Sequence, residues 1–165
     1  MSGEVNKTNS LPQPFNHAHL LKQNPPQKTE SYAEWYWYRQ NQGPGNPDQT
    51  YEHHLATYGP DVVYDDFIAN FTAAAFDPKE WVDLFAAAGA QYFVQVAKHH
   101  DGYALFDLPA DVSGRTSVRL TPHRNLLKEV FDAAGEWQPH LRKGAYYSLP
   151  EWFHPDYEGL GFGQW

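Results

Sequence analysis

Phe76–Gly102 reads FDPKEWVDLFAAAGAQYFVQVAKHHDG, and this stretch decides the fold class. Asp77 suits a helix N-cap, because its carboxylate can accept from backbone N–H groups that the first turn leaves unpaired. Pro78 fits the first helical position, where no N–H is needed, and Glu80 stands three residues after the cap. Trp81, Leu84, Phe85 and Ala88 then recur at i, i+3, i+4 and i+7, which predicts one apolar helix face. Gly89 is placed to end the helix in the left-handed conformation, where a side chain would be strained. After a short turn, Gln91–Ala97 is aromatic, β-branched and apolar at most positions. Such a run predicts a strand covered on both sides, as in a parallel sheet flanked by helices.

Outward from this stretch the pattern repeats. A second helix is predicted near Arg124–Ala134, with Leu126, Leu127, Val130, Phe131 and Ala134 on one face. A second strand follows over Lys143–Leu149. Upstream, Tyr51–Tyr58 reads as a short helix, 41–50 as a Gly- and Pro-rich loop, and Asp61–Phe71 as mixed. Residues 1–30 are rich in Pro, Gln and Asn with no sustained period, and read as a disordered or irregular arm. The order helix, strand, helix, strand indicates an α/β fold. The loops leaving the strands are the longer ones and carry the polar and aromatic residues. In both barrels and open sheets of this class, ligands bind at the strands' C-terminal ends. Periodicity alone does not separate barrel from open sheet.

The chain has 165 residues, enough for one domain by a prior of roughly 100–200 residues per domain. Aromatics make up 16%, including 6 Trp and 11 Tyr. Flat apolar rings suit stacking on the C–H faces of sugars, although a core also consumes aromatics. The net charge of −8 argues against nucleic-acid and anionic-membrane partners. No cysteine is present, so a disulfide framework and thiolate metal sites are excluded. Neither a signal-peptide core nor a membrane-length apolar run is visible. Asn6-Lys7-Thr8 and Asn70-Phe71-Thr72 match the glycosylation acceptor pattern, a triplet that also arises by chance.

Three clusters carry candidate chemistry: Glu34–Tyr38 (EWYWY), Lys98–Gly102 (KHHDG), and Tyr146–Ser148 with Glu151–His154. All three are expected at strand ends, the first only if a strand precedes it. For the histidine pair three readings stand open. A metal site would use imidazole and carboxylate ligands, but neighbours on a strand point to opposite faces, so His99 and His100 converge only if the strand end bends. His17-Ala-His19 lies in the arm. A loop role would have the pair hydrogen-bond to backbone. A sugar clamp would use neutral imidazoles as donor and acceptor, indole as platform, and Glu34 to accept from adjacent hydroxyls.

The motifs EWYWY at 34–38, FTAAAFDPKEWVDLFAAAGAQYFVQVAKHHDGYALFD at 71–107 and YYSLPEWFHPDY at 146–157 are similar to those of the α-L-fucosidases of glycoside hydrolase family 29. The resemblance runs from about Glu34 to Pro155. It implies a partial TIM-like (β/α) barrel, comprising the first few strands and helices, with 31–165 as an incomplete catalytic barrel. It implies retaining hydrolysis of terminal α-L-fucose from glycans or glycoconjugates through a covalent glycosyl-enzyme intermediate, with no metal or organic cofactor. Glu34 and Trp35 would contact fucose, His99 and His100 would bind its hydroxyls, and Tyr146 would stand near the nucleophile. A secreted or lysosomal/vacuolar location is implied. Two departures stand out. QNPPQKTESYA at 23–33 occupies the place of the family's His-Trp-Gly segment. The family's nucleophile and acid/base lie beyond residue 165, and Glu34, Asp101 and Glu151 match neither. A full barrel needs about 250 residues, so the chain is expected to be a fragment, poorly stable and inactive alone. A sugar-binding pseudoenzyme fragment and a metal-dependent barrel hydrolase are the alternatives.

Overall fold

The computed structural model describes residues 33–152 and His154. The arm 1–30, the acceptor triplet at Asn6, His17 and His19, and the stretch Pro155–Tyr157 lie outside the described residues. The chain divides between Asn70 and Phe71 into two compact units. No helix among the described residues is long and apolar enough to cross a membrane.

In the first unit a 3-10 turn, Ala33–Trp35, runs into α1, Tyr36–Gln40. Helix α2, Thr50–Tyr58, and a second 3-10 turn, Tyr64–Asn70, follow. The residues before Ala33 lie outside the described residues, and EWYWY itself is helical. The reason is packing: Tyr36, Tyr64 and Phe67 form a buried cluster with Trp37, Tyr58 and Val62 against it. Trp37 stacks on Tyr64 at 4.9 Å and 5°. Buried His54 lies 2.7 Å from the Tyr36 hydroxyl through Nδ1 and 2.8 Å from the Val62 carbonyl through Nε2. A carbonyl only accepts, so Nε2 carries the proton and Nδ1 accepts from Tyr36.

His53, next to that network, has its pKa lowered from about 6.5, first by burial and second by repulsion from His54. The folded unit therefore favours neutral imidazole. The stability tied to it is present above the unfolded pKa and is lost as pH falls through the folded one. An NMR titration of the His53 ring is expected to give a midpoint below that ordinary value. A midpoint at or above it would contradict the burial seen here.

The second unit holds α3, Pro78–Ala87, β1, Tyr92–Lys98, α4, Leu126–Trp137, and β2, Arg142–Tyr147. The Asp77 carboxylate caps α3, accepting from the Lys79 and Glu80 amides at 2.9 and 3.1 Å. Gly89 follows the helix at φ 81°. Asn125 caps α4 through the Lys128 amide at 2.9 Å. The helix then runs three residues beyond the expected Ala134 to Trp137. β1 and β2 pair in parallel, from Tyr92 opposite Arg142 to Val96 opposite Tyr146, with an irregularity before Lys98 pairs Tyr147. The sheet among the described residues has these two strands.

The core differs from the sequence expectation in two ways. Val82, at 0% exposure, is the buried centre of α3, whereas Trp81 and Leu84 are 42% and 66% exposed. The helix carries two overlapping apolar stripes, and the expected one, with Ala88, is largely open. Small Ala133 and Ala134 on α4 admit Val82 and Ala86 closely, with Val130 and Leu141 completing the cluster. Trp81 instead packs edge-on against Phe76 at 5.0 Å. Among the described residues the strand is likewise packed on one side. Phe93 packs between Phe85 and Phe131 at 5.3 and 5.9 Å. On the opposite face Tyr92, Val94 and Val96 are 67%, 54% and 45% exposed. No described helix of the second unit covers that face.

Candidate functional site

The C-terminal end of β1 bends, which resolves the geometric objection to the histidine pair. The Gly102 amide donates to the His99 carbonyl at 3.1 Å, and the Leu105 amide to the Ala97 carbonyl at 2.8 Å, so the chain doubles back. Gly102 turns the corner at φ 77°. The His99 and His100 rings thereby lie 4.4 Å apart at 60°, on the same side of the bend. From the neighbouring strand, Tyr146 faces His99 at 6.1 Å and 24°. Trp152, buried in the loop after β2, contacts both imidazoles at 5.9 and 5.4 Å.

His100 is held by that same loop. Its Nδ1 lies 3.0 Å from the Pro150 carbonyl and 2.7 Å from the Ser148 hydroxyl oxygen. The carbonyl cannot donate, so Nδ1 carries a proton shared with both oxygens. In the neutral ring Nε2 is then an acceptor, the role needed to meet a ligand hydroxyl. The Trp152 amide also donates to the His100 carbonyl at 2.8 Å. Thus the loop-backbone reading and the clamp reading describe different atoms of one residue.

Two acids stand beside the pair and both are engaged. Buried Asp101 accepts from the Tyr103 amide at 3.3 Å, and its carbonyl accepts from Arg115 Nε at 2.9 Å. Glu151 pairs with Lys98 at 3.0 Å. The Tyr103 hydroxyl donates to the Thr121 carbonyl, and its pKa is pushed well up, by burial first and Asp101 second, with Arg115 partly opposing.

The structure brings His99, His100 and Tyr146 together. Glu34 and Trp35 lie in the 3-10 turn of the first unit. There Glu34 is exposed, and Trp35 meets Tyr38 edge-on at 5.2 Å. Ser148 and Trp152 stood within the third candidate cluster, but sequence reasoning gave them no contact with the histidines. Their signal was their place beside Pro150, since proline makes an extended or turning loop that can fold back. No group of three or more metal-ligating His, Asp or Glu occurs among the described residues.

Comparison with known proteins identifies the family. Residues 17–161 match the family described as Alpha-L-fucosidase. Human tissue alpha-L-fucosidase is 42% identical over 127 residues, covering 76% of this chain and 26% of the relative. Human plasma alpha-L-fucosidase is 36% identical over 121 residues, with 73% and 24% covered. Among solved structures, the Thermotoga maritima alpha-fucosidase in complex with fucose is 39% identical. It superposes with a TM-score of 0.65 over 73% of this chain and 27% of that one. The chain spans about a quarter of the length of the curated relatives it matches. The family match covers most of the 165 residues, and the chain belongs to the α-L-fucosidase family.

Proposed function

We propose that this chain supplies the fucose-recognition rim of a retaining α-L-fucosidase acting on terminal α-L-fucose of glycans or glycoconjugates. Residues 31–165 form part of a (β/α) barrel in this reading. Glu34, Trp35, His99, His100 and Tyr146 contact the sugar, and a secreted or lysosomal/vacuolar setting goes with it. The observation that carries the proposal is the gathering of His99, His100 and Tyr146 at the C-terminal ends of paired parallel strands. Imidazoles suit vicinal hydroxyls, and Trp152 with Tyr146 offers a ring-lined wall for the sugar's C–H face.

The reading assigns no catalytic carboxylate to the chain. Retention needs two carboxyl groups about 5–5.5 Å apart, one of them unencumbered as nucleophile. Near the histidines, Glu151 is tied to Lys98, and Asp101 to the Tyr103 amide. The chain is therefore expected to bind L-fucose weakly, at millimolar affinity or about 4 kcal/mol, and not to release nitrophenol from an aryl α-L-fucoside.

Saturation-transfer NMR with L-fucose, using D-fucose as the mirror-image control, tests the binding. His100→Ala is expected to weaken the L-fucose contact about three- to tenfold, as one lost hydrogen bond of roughly 0.5–1.5 kcal/mol implies. Equal signals from both enantiomers, or no effect of His100→Ala, would sink the proposal. Turnover abolished by Asp101→Asn or Glu34→Gln would show that a catalytic carboxylate lies within the chain.

A further inference from the structure

Lys98 ends an apolar strand, yet it is only 2% exposed. Burying an ammonium has a desolvation penalty of several kcal/mol, so its partners must be well placed. They come mainly from the neighbouring strand and the loop that leaves it. Nζ donates to the Ser148 carbonyl at 2.7 Å, pairs with Glu151 at 3.0 Å and lies 4.8 Å from the Tyr147 ring centre. The Ser148 amide returns a hydrogen bond to the Lys98 carbonyl at 3.0 Å.

The loop that Lys98 holds is the loop that holds His100. Ser148 and Pro150 meet its Nδ1, and Trp152 packs on its ring. Glu151 lies between Pro150 and Trp152 in the chain. Its approach depends on Gly102, where an added Cβ would stand 2.9 Å from the Glu151 Oε2. Lysine at the strand end, glycine at the corner and glutamate after Pro150 thus serve one contact.

We propose that Lys98, through Glu151 and the Ser148 carbonyl, is a positioning residue that holds the loop after β2 so that Pro150 and Ser148 fix the orientation and tautomer of His100. Its bearing on sugar recognition rests on the fucose-binding reading above; its bearing on His100 does not. A merely structural ion pair would tune stability and leave the imidazole as it is.

The test uses the full chain and two readouts. The first is the His100 Nδ1–H resonance in proton–nitrogen spectra, visible when the Pro150 carbonyl shields it. The second is the L-fucose saturation-transfer signal. Lys98→Met combined with Glu151→Gln removes both charges, so neither is left unpaired. It is expected to abolish the resonance and to weaken the fucose contact about three- to tenfold, the effect of one lost hydrogen bond. Added to His100→Ala, it is expected to weaken the fucose contact no further, because both changes act through one ring.

The chain has no cysteine, so Lys98→Cys introduces a sole thiol. Alkylation with 2-bromoethylamine in denaturant, followed by refolding, reinstalls an ammonium of similar reach and is expected to restore the resonance. An unchanged resonance in the folded double variant would overturn the proposal, as would full additivity with His100→Ala. If the Lys98 variants do not fold, Glu151→Gln decides: loss of the resonance supports the pin, and retention overturns it. If L-fucose gives no signal with the unmodified chain, the binding reading fails while the resonance still judges the pin.

Discussion

Phe67→Ala is expected to lower the stability of the first unit by about 3–5 kcal/mol, the usual loss for a fully buried phenylalanine. Phe67 is 2% exposed. Its ring meets Tyr58 at 4.9 Å and 69°, and Tyr36 at 6.3 Å and 70°. It also meets His54 at 6.2 Å and Tyr64 at 6.3 Å, both near perpendicular. Alanine would remove all four contacts and leave a cavity that rigid rings cannot collapse to fill. Small domains have only about 5–15 kcal/mol in total, so much of the unit's stability is at stake. Phe67→Leu keeps much of the volume and is expected to lose less. The comparison is made in urea, following the Trp37 indole resonance, because Trp37 stacks on Tyr64 within the same cluster. A loss below about 1 kcal/mol for alanine would mean that the cluster is not a packed core.

Gly102→Ala is expected to lose about 2–5 kcal/mol by two separate routes. A side chain at φ 77° carries a left-handed penalty of about 1–2 kcal/mol. The new Cβ also stands 2.9 Å from Glu151 Oε2. Glu151 is flexible and can withdraw, but withdrawal removes a partner from buried Lys98, a further loss of about 1–3 kcal/mol. Gly102→Asn separates the routes, since asparagine tolerates the left-handed region yet still brings a Cβ. It is expected to recover only the dihedral part. Gly114→Ala is the control: nothing lies within 4 Å of its added Cβ, and its change is expected within about 0.5 kcal/mol. Equal melting curves for Gly102→Ala and Gly114→Ala would refute the argument.

The helices were legible because their signals are local. An Asp-Pro start, a carboxylate aimed at the next two amides and a glycine at the far end are decided within one turn of chain, and α3 follows them. The parallel pairing of two strands separated by a helix was legible for a similar reason, since the crossover leaves few alternatives. Burial was less legible. α3 offers two apolar stripes, and only the small alanines of α4 select the one through Val82. EWYWY has no helical period of its own, and its helical form goes with the packing of Tyr36 and Trp37 on Tyr64 and Phe67.

The sequence by itself determined the α/β order, the caps, the kinship carried by KHHDG and its neighbours, and the residue types available at the strand end. Whether adjacent histidines could face one way was a tertiary decision. It required the corner at Gly102, which turns both rings to one side, and β2 beside β1, which brings Tyr146 and the Ser148–Trp152 loop against them. The Lys98–Glu151 pair was equally hidden. Residues far apart in the chain acquire a shared low-dielectric pocket only after the strands pair, and an ammonium is buried only where such partners already stand.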